Sequence, residues 1–241
     1  MPHNARREEL ADARSAEQEL QAFSYIVSHD LAASFRHVSE FSRLLLCELG
    51  DGLTGRQRSH ADHIRSATEK CQLMMEQLLL FSRVQQRVLK PVRQDATPAL
   101  RLVIAQLDAA EVAGAEVSIE PLGEVFADSE LLAQVFRDLL ENALKFRRSG
   151  ARHRISISAG HDPAFWRMRI ADNGIGVEAA YREKAFQMFQ RLNGEDAYSG
   201  VGAGLTIARR IARRQGGDVN FLDCADGACV ELSLPRAPTL Q

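Results

Sequence analysis

The chain has 241 residues, which is long for one domain and sufficient for two. Its 30 Lys and Arg residues nearly balance 32 Asp and Glu residues, so the overall charge gives no reason to expect binding to nucleic acid or to an anionic membrane. No apolar stretch approaches the roughly 20 residues needed to cross a bilayer and no secretory signal opens the chain, so we expect no transmembrane segment and a cytoplasmic location.

The first third of the sequence is predicted to be helical. Residues 1–19 contain no turn residue after Pro2 and predict a helical lead-in or coiled coil. Apolar residues then recur every three or four positions through residues 20–49 and again through 64–88, which is the period of an amphipathic helix. The glycine-rich stretch 50–55 between these runs predicts a short turn.

The two runs predict an antiparallel helical hairpin over residues 20–90, because Pro91 ends the second helix. One hairpin cannot bury an apolar stripe as wide as this one, whereas two copies can bury it between them. The sequence therefore predicts a homodimer, formed through residues 20–90, in which two hairpins make a four-helix bundle.

Residues 91–241 alternate between helical and strand patterns. Helices are predicted at residues 98–110, 128–146 and 202–215. Strands are predicted at residues 116–120, 124–127, 155–159, 166–171, 217–222 and 228–234. Asp128 suits the N-cap of the middle helix. This order of elements predicts a separate α/β sandwich domain built on one sheet.

His29, followed by Asp30, is a candidate chemical group in the first helix. Val27 and Leu31 belong to the apolar stripe, and at about 100° per residue His29 lies about 200° from each of them, on the opposite face. A buried core histidine is therefore not expected. The carboxylate of Asp30 could accept the ring Nδ1–H and leave Nε2 as a nucleophile. An ordinary exposed histidine is the alternative.

The helix predicted over 128–146 carries Asp138, Asn142 and Lys145 at spacings of four and three, so these side chains share one face. An amide oxygen from asparagine suits Mg²⁺, and a neighbouring lysine suits phosphate. A polar, solvated helix face is the alternative interpretation of the same spacing.

Two glycine-rich stretches follow. Asp172 comes directly after a predicted strand, and Gly174 and Gly176 would allow a flat ligand to approach the backbone while the carboxylate accepts from an amino group. Gly200–Leu205 opens a helix, where exposed N–H groups favour phosphate. A surface turn is the alternative for the first stretch. The second is weak evidence alone, and it is not a Walker loop because no Gly-Lys-Ser/Thr follows.

Together, these motifs resemble the two-domain kinase core of sensor histidine kinases in two-component signalling, over about residues 15–236. The motifs that carry the resemblance are Ser28-His29-Asp30-Leu31, Asn142-Ala-Leu-Lys145-Phe146, Asp172-x-Gly174-x-Gly176, Phe186-Gln-Met-Phe189 and Gly200-x-Gly202-x-Gly204-Leu205. The sequences around Phe23–His37 and Met188–Leu192 look most like kinases attached to phytochrome-type photosensors.

The resemblance implies a division of labour between the domains. Residues 20–90 would form the dimerisation and phosphoacceptor domain, and 91–241 the ATP-binding sandwich shared with gyrase-type and MutL-type ATPases. His29 would attack the γ-phosphate of ATP with Asp30 orienting it, and the phosphoryl group would pass to an aspartate of a response-regulator receiver domain. The signal would come from a sensor domain or sensor protein outside this chain.

The resemblance also implies a set of ligand-binding residues. Asp172 would bind the adenine amino group, Lys145 phosphate and Asn142 Mg²⁺, with Asp138 as a candidate second ligand of the metal. The expected nucleotide-binding residues are Asn142, Lys145, Asp172, Gly174, Gly176, Phe189, Gly200, Gly202, Gly204 and Leu205. The polar residues 177–201 would form a mobile lid.

The sequence departs from the family pattern at several positions. Ser34 replaces a usual proline, Ala33 replaces the Thr or Asn of phosphatase-competent relatives, and Asp138 replaces a usual Asn. Val201 and Ala203 are also unusual in the second glycine motif. These departures predict weak phosphatase activity and leave open an alternative function, a catalytically weak or inactive dimeric scaffold that binds a regulator. The acid at position 138 also makes some ATP hydrolysis conceivable.

Two other features have simpler interpretations. Trp166, in a predicted strand, is expected in the core. The arginines of the last predicted helix are interpreted as a solvated helix face, with an interaction surface as the alternative; they are Arg209, Arg210, Arg213 and Arg214.

Overall fold

The computed structural model describes residues 31, 33–49, 52–160, 162–192, 198 and 200–236. The chain divides into two compact units, Met1–Gln86 and Arg87–Gln241. The predicted helical lead-in, His29 and Asp30 lie outside the described residues. Within the part of the chain that is described, no helix combines the length and the apolar character needed to cross a membrane.

The described part of the first unit is helical, as the apolar period predicts. Helix α1 spans residues 33–49 and α2 spans Gly55–Gln86. A reciprocal cap starts α2, because the Thr54 backbone N–H donates to Gln57 Oε1 over 2.8 Å and the Gln57 N–H donates to Thr54 Oγ1. The predicted stripe on α1 is exposed in the single chain, with 69% of Phe41 and 57% of Leu45 accessible.

The second unit contains seven strands and four helices among its described residues. The strands are β1 (Pro91–Asp95), β2 (Ala115–Ile119), β3 (Glu124–Asp128), β4 (His153–Gly160), β5 (Phe165–Asp172), β6 (Asp218–Leu222) and β7 (Ala228–Pro235). The helices are α3 (Ala96–Gln106), α4 (Ala109–Ala113), α5 (Ser129–Lys145) and α6 (Gly204–Arg214). Short 3₁₀ turns cover Ala179–Tyr181 and Lys184–Phe186.

The strands form two sheets rather than the one expected. The larger sheet has the order β2-β4-β5-β7-β6, with β2 parallel to β4 and every other pair antiparallel. The smaller sheet pairs β1 with β3, antiparallel. Strand β1 lies where a connector was predicted, and α3 begins at Ala96 rather than Pro98. Asp128 caps α5 as expected, with Oδ1 accepting from the Leu131 N–H.

The core of the second unit lies between the larger sheet and helices α5 and α6. Phe136 of α5 and Ile207 of α6 are fully buried. The prediction that Trp166 is a core residue is confirmed: it is 2% exposed, and its Nε1–H donates to the Leu122 carbonyl over 2.8 Å. Burying the indole with its polar atom paired avoids the cost of an unmade hydrogen bond.

The interpretation of the α6 arginines as a solvated face is wrong for Arg209. Its exposure is 9%, whereas the side chain of Arg213 is 53% exposed. Arg209 is buried because carboxylates from Glu183 and Asp218 meet its guanidinium, and neither is close to it in sequence.

Candidate functional site

Asp138 lies inside the second unit, on the side of α5 that meets the start of α6. Its exposure is 8%, and Oδ1 accepts a hydrogen bond from Gln134 Nε2 over 2.8 Å. Oδ2 is buried and has no hydrogen-bond partner among the described residues. Burial raises the pKa of Asp138 well above its ordinary value. A Cβ atom placed on Gly204 would lie 3.6 Å from the Asp138 Cβ, so the first residue of α6 packs against this acid.

Asn142 and Lys145 follow on the last turns of α5, and both are half-buried. The Lys145 Nζ lies 4.9 Å from the centroid of the Phe146 ring. Burial, and then the positive charge of Arg191, lower the pKa of Lys145. A Cβ atom placed on Gly200 would lie 3.3 Å from Lys145 Nζ, so the second glycine stretch begins beside this ammonium group.

Asp172 ends β5 with a carboxylate that is only partly used. Its Oδ1 accepts from the Gly174 N–H over 2.8 Å and from the Ala228 N–H over 3.3 Å. Both hydrogen bonds from the described residues reach Oδ1, which leaves Oδ2 to accept from a ligand. The side chain is half-buried, and this burial raises the pKa of Asp172.

The glycines after Asp172 are required by close packing. A Cβ atom on Gly174 would lie 2.1 Å from the Phe146 carbonyl oxygen, which also accepts the Ile175 N–H over 2.9 Å. Gly176 has φ +72°, and a Cβ there would lie 2.6 Å from the Gly227 carbonyl oxygen. The stretch is therefore packed between the end of α5 and the β6–β7 loop, unlike an isolated surface turn.

The second glycine stretch is held by the residues around Phe189. The Phe189 N–H donates to the Gly202 carbonyl over 2.9 Å, and Phe189 itself has φ +63°, which is uncommon for a residue other than glycine. Gly200 and Gly202 have φ of +92° and +76°. A Cβ atom on Gly202 would lie 2.5 Å from the Gln190 carbonyl oxygen, so only glycine fits between this segment and α6.

The N-terminus of α6 is available to an anion. Ala203 at its N-cap provides no side-chain hydrogen bond, and the first turn contains no acidic residue. The first-turn N–H groups and the positive end of the helix dipole are therefore not matched by an acidic side chain of α6 itself. Leu205, in this first turn, is half-buried.

The structure brings most of the predicted residues together. Lys145 meets Gly200, Asp138 meets Gly204, and Gly174 packs against Phe146 at the end of the helix that carries Asn142. These contacts put the polar face of α5 between the two glycine stretches. The proposed roles of these residues stay predictions, and His29 and Asp30 cannot be placed because they lie outside the described residues.

Arg191 is a candidate residue that the sequence interpretation did not single out. Its positive charge acts on Lys145, and its Nη2 donates to the Tyr198 carbonyl. The Tyr198 ring lies 4.8 Å from that of Phe146. Two cations therefore converge near Gly200. No signal in the sequence indicated the proximity of Arg191 to Lys145. A single arginine two positions after Phe189 belongs to no motif of regular spacing, and the fold alone brings it near Lys145.

Two side chains of the site, Asn142 and Asp138, carry oxygen atoms suited to a small, hard cation. Asn142 provides an amide oxygen, and the buried, unpartnered Asp138 Oδ2 provides a carboxylate oxygen, which are the ligand types that Mg²⁺ prefers. The described residues hold no group of three or more His, Cys, Asp or Glu side chains suited to a metal. A cation here would need most of its ligands from a bound phosphate compound and water.

Comparison with known proteins identifies the family of this site. Residues 127–238 match the family of histidine kinase-, DNA gyrase B-, and HSP90-like ATPases. The chain is 30% identical over 217 residues to the phytochrome-like protein Cph1 of Synechocystis, which covers 88% of this chain and 29% of Cph1. It is 28% identical to the sensor protein KdpD of Escherichia coli, over 98% of this chain and 27% of KdpD. The chain thus spans less than a third of the length of these relatives.

A solved structure supports the fold. The crystal structure of full-length ShkA in complex with AMPPNP matches 92% of this chain and 47% of its own, with a TM-score of 0.64 and 24% sequence identity. At this identity the likeness shows the fold alone.

Proposed function

The chain contains the core of a sensor histidine kinase of two-component signalling, and from this premise we propose that it uses ATP to phosphorylate His29 and passes the phosphoryl group to an aspartate of a response regulator. The observation that carries the proposal is the approach of Lys145 to Gly200 and of Asp138 to Gly204. This contact places a cation and hard oxygen donors beside an uncapped helix N-terminus, which suits a triphosphate.

Each end of the nucleotide has a matching group in the second unit. The Asp172 carboxylate would accept from the adenine amino group, since its two hydrogen bonds reach Oδ1 and leave Oδ2 for the base. Lys145 and Arg191 would bind phosphate oxygens together with the N–H groups of the first turn of α6. Asn142, with Asp138, would hold Mg²⁺, which when bound neutralises part of the triphosphate charge.

The proposed chemical step transfers a phosphoryl group from ATP, bound by the second domain, to His29 of the first. His29 Nε2 would form a bond to the γ-phosphorus as the bond from phosphorus to the leaving oxygen of ADP breaks, and Asp30 would hold the ring through Nδ1–H. The phosphohistidine would then give its phosphoryl group to a regulator aspartate. Gly174, Gly176, Phe189, Gly202 and Leu205 would shape the nucleotide site.

Dimerisation through residues 20–90 is part of the proposal. The apolar residues Phe41 and Leu45 of α1 are more than half exposed in the single chain, and a second copy would cover them. We expect the wild type to be a dimer by light scattering and Phe41→Glu to weaken it, whereas Arg43→Glu, on the same helix but outside the stripe, should leave it intact. A monomeric wild type would contradict this part.

Autophosphorylation tests the chemistry directly. With γ-labelled ATP and Mg²⁺, the wild type should gain phosphate that is labile to acid and stable to base, as expected for phosphohistidine. His29→Ala and Asp172→Asn should each abolish the label, and His37→Ala, which replaces an exposed histidine of α1, should retain it. Label that survives in His29→Ala would refute the assignment.

The same assay decides between this function and the alternative, a scaffold without turnover. A wild type that binds ATP and a regulator but takes up no label would be the scaffold. ATP hydrolysis is a second candidate activity, favoured by the buried and unpartnered Asp138 Oδ2 next to Gly204. Phosphate release that persists in His29→Ala and is lost in Asp138→Asn would establish hydrolysis.

A further inference from the structure

We propose that Arg209 is a positioning residue that fixes the second glycine stretch for the phosphate end of the nucleotide. The inference rests on the proposed ATP-binding function and deepens it. Arg209 lies in the middle of α6, away from the residues assigned to the ligand, and its contacts connect α6 both to β6 and to the segment that leads into that stretch.

The Arg209 guanidinium joins three parts of the second unit. Nη1 and Nη2 donate to the Glu183 carboxylate over 2.8 and 3.3 Å, in front of the Lys184–Phe186 turn. Nε donates to Asp218 Oδ1 over 3.0 Å, and Nη2 also donates to Asn220 Oδ1 over 3.0 Å, both in β6. A planar guanidinium can make these bonds at once, which an ammonium group cannot.

Arg209 also holds the ring of Phe186. Its Cζ lies 4.2 Å from the ring centroid of Phe186, and the ring centroid of Phe221 lies 5.4 Å from that of Phe186. Phe186 is 8% exposed, and its carbonyl accepts from Thr206 Oγ1 over 2.8 Å. The segment is thus tied to α6 through its ring and its backbone.

A displacement of this segment would reach the second glycine stretch within a few residues. Phe189, three positions after Phe186, donates its N–H to the Gly202 carbonyl, and the Gln190 carbonyl oxygen is 2.5 Å from where a Gly202 Cβ would be. Gly202 is therefore in close contact with the segment that follows Phe186. Misplacing a binding group by about 1 Å can cost on the order of 100-fold in a reaction.

The contacts of Arg209 predict a specific signature. They involve α6, β6 and the 183–186 segment, and none reaches Asp172, whose hydrogen bonds come from Gly174 and Ala228. Losing the guanidinium should therefore weaken the affinity that depends on phosphates and spare the affinity for adenosine. A purely structural role would lower thermal stability without changing the ratio of the two affinities.

The test compares Arg209→Met with Arg213→Met. Arg213 is a matched control because it lies on the same helix and donates to the same Asp218 over 3.0 and 3.2 Å, but it is more exposed and its hydrogen bonds do not reach Glu183. Dissociation constants for ATP and, by competition, for adenosine are measured with Mg²⁺ on protein shown by circular dichroism to be folded. Glu183→Gln is the second variant, because the Glu183 side chain is 79% exposed and its loss should not prevent folding.

Arg209→Met, and to a smaller extent Glu183→Gln, should raise the dissociation constant for ATP on the order of tenfold while that for adenosine stays within about twofold. Arg213→Met should change neither. An unchanged ratio of ATP to adenosine affinity in folded Arg209→Met, or in Glu183→Gln if the first variant does not fold, overturns the inference. A wild type that binds no ATP refutes the proposed function, and this inference with it, which is a different outcome from an unchanged ratio.

Discussion

Replacing Asp138 by asparagine is expected to stabilise the second unit near neutral pH but not below about pH 4. The wild-type side chain is 8% exposed, with one hydrogen bond from Gln134 and no partner for Oδ2 within the described part of the chain. Asparagine keeps the volume and can still accept from Gln134. It removes the ionisable proton, so the variant isolates the cost of placing a carboxyl group at this position.

The sign follows from the raised pKa of Asp138, whose main cause is burial. Below about pH 4, the ordinary range of an aspartate, both the folded and the unfolded chain hold the proton and the variant gains nothing. As pH rises, the unfolded chain releases the proton while the folded chain keeps it, so the free energy of unfolding of the wild type falls until the folded group also ionises. The gain of the variant grows over the same interval.

The magnitude is set by how far burial raises the pKa of Asp138, since one pKa unit corresponds to about 1.4 kcal/mol, and we expect a gain of about 1–3 kcal/mol at neutral pH. For a structural unit as long as Arg87–Gln241, this gain in the free energy of unfolding corresponds to a rise in melting temperature of about 2–10 °C. Melting curves without nucleotide at several pH values measure it, with Glu120→Gln, an exposed acid, as the control. A difference in melting temperature between Asp138→Asn and wild type that is the same below about pH 4 and at neutral pH would refute the reasoning.

Three further predictions concern the framework of the second unit. Gly174→Ala should abolish ATP binding measured by calorimetry, because its Cβ would lie 2.1 Å from the Phe146 carbonyl oxygen; wild-type affinity would contradict the packing. Asp128→Ala removes the N-cap of α5 and should lower the free energy of unfolding by about 1–2 kcal/mol in urea. Trp166→Phe leaves the Leu122 carbonyl without its indole donor and should cost about 1–3 kcal/mol, followed by far-ultraviolet circular dichroism; an unchanged midpoint would count against a role for that hydrogen bond.

Most of the helices and the strands of the larger sheet could be predicted from local signals, but the single helix predicted over residues 98–110 is two helices, α3 and α4. The apolar period set the helices of the first unit, and Asp128 marked the start of α5 because a cap is a contact over three residues. Strand β1 has no comparable signal. It opens with Pro91 and carries one apolar residue, Val92, which is itself 49% exposed, so alternation is lost and only pairing with β3 reveals the strand.

The burial of charged side chains was the other feature that could not be predicted from the sequence. Arg209 follows Ala208 in a helix that carries several arginines, and its pattern matches a solvated face. The Glu183 carboxylate, which accepts a hydrogen bond from Arg209, is 26 positions away in the sequence. Asp138 likewise shares a face with Asn142 and Lys145 by spacing alone, but the approach of Gly204 removes it from solvent. The helical period predicts which side of a helix a side chain lies on. It does not predict which other element of the fold packs against that side.

The order of strands in the larger sheet has a consequence for synthesis on the ribosome. Strand β7 follows β6 along the chain, yet it lies inside the sheet, between β5 and β6. Asp172 of β5 pairs with Ala228 of β7, 56 positions later. Until those residues leave the exit tunnel, the edge of β5 that pairs with β7 has no partner strand, and Trp166 lacks its neighbour in β7. An unpaired strand edge can pair with other nascent chains. The sheet therefore cannot be completed until β7 has been synthesised, and truncations that remove β7 should accumulate as aggregates.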